Sequence, residues 1–263
     1  MAARAIWKGV LKIGRDGLPV KIYAAVEDRQ VHFHVLQNRT KSRVKQQMVE
    51  EETGKEVVRE NLRKGYEVAP GTFVILDDSE LNRLKPEESR DITPTRFVPQ
   101  SEVSNEWYER PYYLGPDDDN AQYFALVESL QESDRIGVVR WTMRGRSYVG
   151  ALTVQEGYLM LIKLRYSDEI LPARELSAPS GPALDAKELR MAKELVNALE
   201  GSFEPGQFRD EYRQRVLEFV EAKAKGQHPR LPQIKEKTMT TSLDNQLAKS
   251  LAALKRGREQ KVA

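Results

Sequence analysis

The chain contains no cysteine, which excludes disulfides, thiolate zinc sites and cysteine nucleophiles together and fits a reducing compartment. Histidine occurs three times in 263 residues. His32 and His34 fall on a predicted strand and His228 in a predicted linker, too few and too dispersed to assign a metal centre. No apolar run is long enough to span a bilayer, and Met1-Ala2-Ala3-Arg4 is not followed by a signal-peptide core, so a soluble, cytoplasmic protein is expected. Also missing are a Gly-rich phosphate loop with Lys and Ser or Thr, a dinucleotide fingerprint and a Gly-x-Ser-x-Gly elbow. No pair of carboxylates stands out. The run Asp117-Asp118-Asp119, between Pro116 and Asn120, reads as a solvated loop. No catalytic residue, metal ligand or cofactor is therefore assigned, and the chain is not expected to be an enzyme.

What is present is a length and an apolar fraction of 40% that suffice for a sizeable core. The net charge of +2 conceals a sharp segregation. Residues 1–49 carry 10 Lys and Arg against 3 Asp and Glu, residues 50–221 carry 22 against 34, and residues 222–263 carry 10 against 3. An acidic middle repels a polyanion, so contacts with nucleic acid are to be sought in the first fifty residues and in the tail.

The first candidate is Arg39-Thr40-Lys41-Ser42-Arg43-Val44-Lys45. On an extended strand its four cations share one face, about 6.6 Å apart, close to the spacing of phosphates along one nucleic-acid strand. Two readings follow from the spacing: a phosphate-facing strand, or an edge strand that carries cations to block edge-to-edge pairing. Lys8, Lys12 and Arg15 are weaker candidates that solvation alone explains.

The first 150 or so residues read mainly as strands. Leu18 to Tyr23 follows the turn Arg15-Asp16-Gly17, Val31 to Leu36 alternates β-branched and aromatic residues, and Glu51-Glu52-Thr53-Gly54 is a turn whose flanks can pair. Gly71 to Leu76, Ile136 to Met143, Ser147 to Val154 and Tyr158 to Leu164 are further strands, the second and third joined at Arg144-Gly145-Arg146. A short helix is predicted from Ser79 to Leu84, capped by Asp78 or Ser79 and stopped by Pro86. From Asp185 the period becomes helical, with Leu189, Ala192, Val196 and Leu199 on one face and a capping box of Asp185 and Glu188. A second helix is predicted over 207–224, with Phe208, Tyr212, Val216, Phe219 and Val220 on one stripe. Both helices read as core or dimer packing. Residues 227–240 form a linker, after which Leu243, Leu247, Leu251 and Leu254 line one face of a short helix ending in the basic Lys255, Arg256 and Arg258. That stripe either docks into a partner's groove or folds back on its own protein.

Several blocks, in order and at plausible spacing, resemble bacterial Ku proteins, the DNA-end-binding factors of non-homologous end joining. They are Arg4-Ala5-Ile6-Trp7-Lys8-Gly9, Leu18 to Tyr23, Val31-His32-Phe33-His34, Lys64-Gly65-Tyr66-Glu67, Glu88-Ser89-Arg90-Asp91-Ile92 with Phe97-Val98-Pro99, Tyr112-Tyr113-Leu114-Gly115-Pro116, Asp134-Arg135-Ile136-Gly137, Ser167-Asp168-Glu169-Ile170 and Glu188-Leu189. The resemblance spans about residues 4–221 and rests on the ordered set. It implies a mixed, mainly β fold: a Ku-like β-barrel core over residues 1–184 that includes a long β-ribbon arm at 28–75, a helical dimer segment at 185–225, a linker at 226–240 and a basic tail at 241–263. It also implies a ring-shaped homodimer around double-stranded DNA ends, a bacterial protein at the nucleoid, and recruitment of an ATP-dependent bacterial DNA ligase through Leu243, Leu247, Leu251 and Leu254. Arg39, Lys41, Arg43 and Lys45 then become DNA-facing, with Lys255, Arg256 and Arg258 as further DNA contacts. The Cys-x-x-Cys that many bacterial relatives carry in the arm is replaced here by Gln46 to Gly54. The competing expectation is a non-clamping RNA- or single-strand-binding β-barrel. Against it, no aromatic residue interleaves the basic run.

Overall fold

The computed structural model describes residues 4–14, 16–118, 120–176 and 185–227. Its chain divides into two compact units, residues 1–29 with 33–175, and residues 30–32 with 176–263.

The first unit is built on a closed barrel of seven strands: β1 (Trp7–Ile13), β2 (Asp16–Ala24), β5 (Asp91–Pro99), β6 (Tyr108–Pro116), β7 (Arg135–Met143), β8 (Arg146–Gln155) and β9 (Tyr158–Leu164), in the order β1-β2-β6-β9-β8-β7-β5. Six of the seven ladders are antiparallel, and the barrel closes through a short parallel pairing of Val10 and Leu11 with Asp91 and Ile92. The period-2 alternation places Leu18, Val20 and Ile22 of β2, and Leu159 and Leu161 of β9, inside. Each such side chain contributes about 1.5–3 kcal/mol by leaving water. A smaller cluster of Ile136, Ala151 and Leu164 is covered by Val98, Val103, Trp107 and Tyr108.

One element was not expected from the sequence. Helix α2 (Asn120–Ser133) contributes Tyr123, Val127 and Leu130 to the barrel core. The Tyr123 hydroxyl donates to the Leu114 carbonyl at 2.5 Å and accepts the Leu159 amide at 2.8 Å. Leu114 and Leu159 face each other at the last register position of the β6–β9 ladder, so this hydroxyl continues the hydrogen bonding where the strands part. Burial pushes the tyrosine hydroxyl's pKa up.

The neighbouring Asp117 is no idle loop carboxylate, as the sequence suggested. It is only 18% exposed and bridges Lys21 and Lys8, the latter at 2.9 Å. The hydrogen bond from Lys21, then that from Lys8, hold its pKa below the ordinary carboxylate value, and the Lys21 ammonium is raised in turn.

Between β2 and β5 the chain makes its long excursion. It includes the hairpin β3 (Lys64–Ala69) and β4 (Thr72–Leu76), then α1 (Asp78–Arg83). The cap of α1 is Asp77, one residue before the earliest expected, because Glu80 closes a capping box on it. From residue 26 to residue 90 no described side chain is buried.

The second unit contributes α3 (Ala186–Ala198) and α4 (Glu211–Ala224). The Asp185–Glu188 capping box is present, with the Lys187 amide donating to Asp185 at 2.7 Å. Helix α4 starts later than the apolar stripe suggested, because Asp210 accepts the Arg213 amide at 2.9 Å and so sets the first turn. Phe208 consequently precedes the helix and stacks on Phe203, with centroids 5.5 Å apart. Neither helix has a buried residue. Leu243, Leu247, Leu251, Leu254, Lys255, Arg256 and Arg258, with most of the predicted linker, lie outside the described residues.

Candidate nucleic-acid interface

The basic run 39–45 does not form the regular strand its alternation predicts. The chain reverses between Gln37 and Ser42: the Gln37 amide donates to the Ser42 carbonyl, and the Lys41 amide to the Gln37 carbonyl, both at 2.9 Å. Lys41 itself sits in the left-handed region at φ 58°. Pairing resumes only at the bridge between Leu36 and Arg43.

The cause is local hydrogen bonding that competes with the strand. Gln37 Oε1 accepts both the Thr40 amide at 2.5 Å and the Thr40 hydroxyl at 3.0 Å. The Thr40 and Ser42 hydroxyls lie 2.7 Å apart. Lys41 Nζ donates to Asn38 Oδ1 at 3.1 Å. The uncharged residues thus knit the loop and leave the cations outside it. Arg39 and Lys41 occupy the tip, and Arg43 and Lys45 follow on the returning limb.

All four are exposed, and none forms an ion pair with a described residue. Four lysines of the barrel wall differ. Lys8 and Lys21 are held by Asp117, Lys12 lies 3.5 Å from Asp91, and Lys163 lies 2.7 Å from Glu109. A paired lysine has to give up a carboxylate before it meets a phosphate, whereas an unpaired one exchanges only water and counterions. By that criterion the candidates at 39–45 are available, and Lys8 and Lys12 are not. Arg15 is outside the described residues.

The next reversal of the excursion has the opposite sign. The turn predicted at Glu51-Glu52-Thr53-Gly54 is present, with the Gly54 amide donating to Glu50 at 2.8 Å and Gly54 at φ 65°. Its flanks meet at the bridge between Val49 and Glu56. This second tip carries Glu50, Glu51 and Glu52, so its field disfavours phosphate. His32 and His34 are both exposed, and among the described residues no three His, Asp or Glu side chains converge as metal ligands. Among those residues no helix is long and apolar enough to cross a membrane.

The family described as "Ku70/Ku80 beta-barrel domain" matches this chain over residues 14–191. Curated relatives agree over most of both chains. The chain is 35% identical over 253 residues to non-homologous end joining protein Ku 2 of Geotalea uraniireducens, covering 95% of this chain and 98% of the relative. It is 34% identical over 230 residues to non-homologous end joining protein Ku of Coxiella burnetii, covering 86% and 84%. It is also 32% identical over 225 residues to the protein of the same name from Archaeoglobus fulgidus, covering 85% and 89%. With a closed barrel, a long excursion between its second and fifth strands, and matches that run through both, the chain belongs to the Ku family.

Proposed function

We propose that this protein binds double-stranded DNA ends without regard to sequence, as a ring-shaped homodimer acting in non-homologous end joining. The observation that carries this reading is the first arm tip: four cations on an exposed loop, none in an ion pair with a described residue, and no helix between Asp28 and Val58 among the described residues. Contacts of that kind neutralise phosphates, position the duplex and carry no sequence information, which suits broken ends of undefined sequence.

The homodimer is supported by exposed apolar surface. Phe33 is 67% exposed, Val35 72%, Met48 66% and Phe73 60%, all on the arm. In the second unit Val196, Leu199 and Tyr212 are equally uncovered. A monomer rarely leaves so much large apolar surface in water, and a second copy covers both sets. A ring closed by two arms admits DNA only by threading, so preference for ends arises from topology.

The test compares a linear blunt duplex with the same sequence as a covalently closed circle. A threaded ring binds the linear form strongly and the circle weakly. Equal binding to both refutes the ring and leaves an open cationic patch. The same reading includes recruitment of an ATP-dependent DNA ligase through Leu243, Leu247, Leu251 and Leu254. Truncation after Gln227 is expected to keep end binding and lose stimulation of ligation.

A further inference from the structure

A cavity of about 690 Å³ is lined by residues of the barrel unit. Its rim carries Arg140 and hydroxyls from Ser89, Thr93, Ser147 and Ser167, and its wall includes the rings of Trp107, Trp141 and Tyr148. The residues that shape it are fixed. Arg165 Nη1 donates to the Glu106 carbonyl at 2.7 Å and the Tyr108 carbonyl at 2.6 Å, and the Tyr166 hydroxyl donates to the Ser147 carbonyl at 2.8 Å. Trp141 and Tyr148 stack on each other at 5.2 Å, and Lys163 Nζ lies 5.5 Å from the centroid of the Tyr148 ring, so these two rings are already engaged. The one carboxylate at the edge, Asp91, already faces Lys12 at 3.5 Å.

Two donors in this lining have no partner among the described residues. Arg140 is exposed and unpaired. Trp141 is 4% exposed, and its buried indole N–H meets no acceptor, a situation that buried donors in folded proteins rarely tolerate. A second depression shares Ser89 and Thr142 with the first and adds Arg90 and Arg144. Arg144, at φ 52°, and Gly145, at φ 70°, are the two central residues of the tight turn that joins β7 to β8. Guanidinium and hydroxyl donors suit a phosphate monoester, and the partly exposed Trp107 ring suits a heterocyclic base. The volume is within the range of small-ligand sites.

We propose that this cavity is a mononucleotide subsite in which Arg140 receives the phosphate and the Trp107 ring receives the base. A strand terminus and a free nucleotide offer the same chemistry, and the assignment to a strand terminus rests on the end-binding reading above. Trp107 and Trp141 line the cavity, so the intrinsic fluorescence of the full-length protein reports occupancy. Titration with adenosine 5′-monophosphate is expected to give a saturable change, with adenosine at least about tenfold weaker because it lacks the charged acceptor. Arg140→Gln, at an exposed position, is expected to weaken the monophosphate about tenfold or more, and Ser147→Asp to do the same by repulsion. Equal response to adenosine and its monophosphate, or an unchanged monophosphate response in both variants, overturns the subsite.

Linear duplexes with 5′-phosphate and 5′-hydroxyl termini separate the two sources. Tighter binding of the phosphorylated end, lost in Arg140→Gln, supports the strand terminus. Indifference to the terminal phosphate, with the monophosphate still bound, supports the free nucleotide. Failure of both while linear duplex still outcompetes a closed circle overturns the subsite and leaves end binding standing. Monophosphate binding in a protein that binds no duplex supports the subsite and removes end binding.

Discussion

Replacing Arg39, Lys41, Arg43 and Lys45 together with Gln isolates the arm tip. None of the four is buried or ion-paired with a described residue, so neutralising them orphans no carboxylate and opens no cavity. The loop is held by Gln37, Thr40, Ser42 and backbone groups, all of which remain. Unfolding free energy is therefore expected to stay within about 0.5 kcal/mol of the parent, as for most surface changes. Binding responds differently. If the tips of two copies engage DNA with four cations each, their part of the slope of log K against log salt is about −7, at roughly −0.9 per phosphate. Between 50 and 200 mM salt that amounts to a loss of about 10⁴ in affinity, which the variant does not show. The assay is fluorescence anisotropy of a labelled blunt duplex across that salt range. Lys8→Gln with Lys12→Gln is the control, expected to move the slope by well under one because Asp117 and Asp91 already hold those lysines. Equal slopes for the fourfold variant and the parent refute the arm-tip interface.

Three further predictions concern the barrel. Tyr123→Phe leaves the Leu114 carbonyl and Leu159 amide without their bridge, and is expected to cost about 1–3 kcal/mol, read as a lower urea midpoint at unchanged m-value. Gly150→Ala places a methyl 2.6 Å from the Trp141 ring and 2.8 Å from the Ile162 carbonyl, too close to accommodate without displacement. A loss of about 1–3 kcal/mol is expected, with a shift in Trp141 emission, and an unchanged melting temperature would contradict the packing described. Asp117 has a lowered carboxyl pKa in the folded state, so its contribution to stability is present above the ordinary carboxylate value of 3.8 and is lost as pH falls through the folded value. Asp117→Asn is expected to be less stable than the parent at neutral pH and to converge with it in thermal melts as the pH falls through the folded-state value.

Legibility from sequence followed the range of the interactions. Strands with clean alternation, such as Leu18, Val20 and Ile22, could be read directly, as could the capping box at Asp185 and Glu188, because both depend on neighbours a few residues away. Helix α2 carried a signal in Tyr123, Val127 and Leu130 at helical spacing. It went unread beside the acidic run at 117–119, and its core role became visible only once the strands it seals had closed into a barrel. At the arm the alternating cations suggested a strand, while Gln37, Asn38, Thr40 and Ser42 supplied the side-chain hydrogen bonds of a turn. Period and turn chemistry conflicted there, and the turn prevailed.

By itself the sequence determined the charge segregation, the absence of thiol chemistry, the ordered blocks that resemble Ku and the identity of the four arm cations, all of which are properties of residue type and local order. Only the tertiary structure decided which cations remain free. Lys8 and Lys21 find Asp117, and Lys12 finds Asp91, across 79 or more residues of chain, whereas Arg39, Lys41, Arg43 and Lys45 find no described carboxylate. The tertiary structure likewise gathered Arg140, Ser147 and Trp107 around one cavity, since closure of a barrel brings together residues that no spacing along the chain associates.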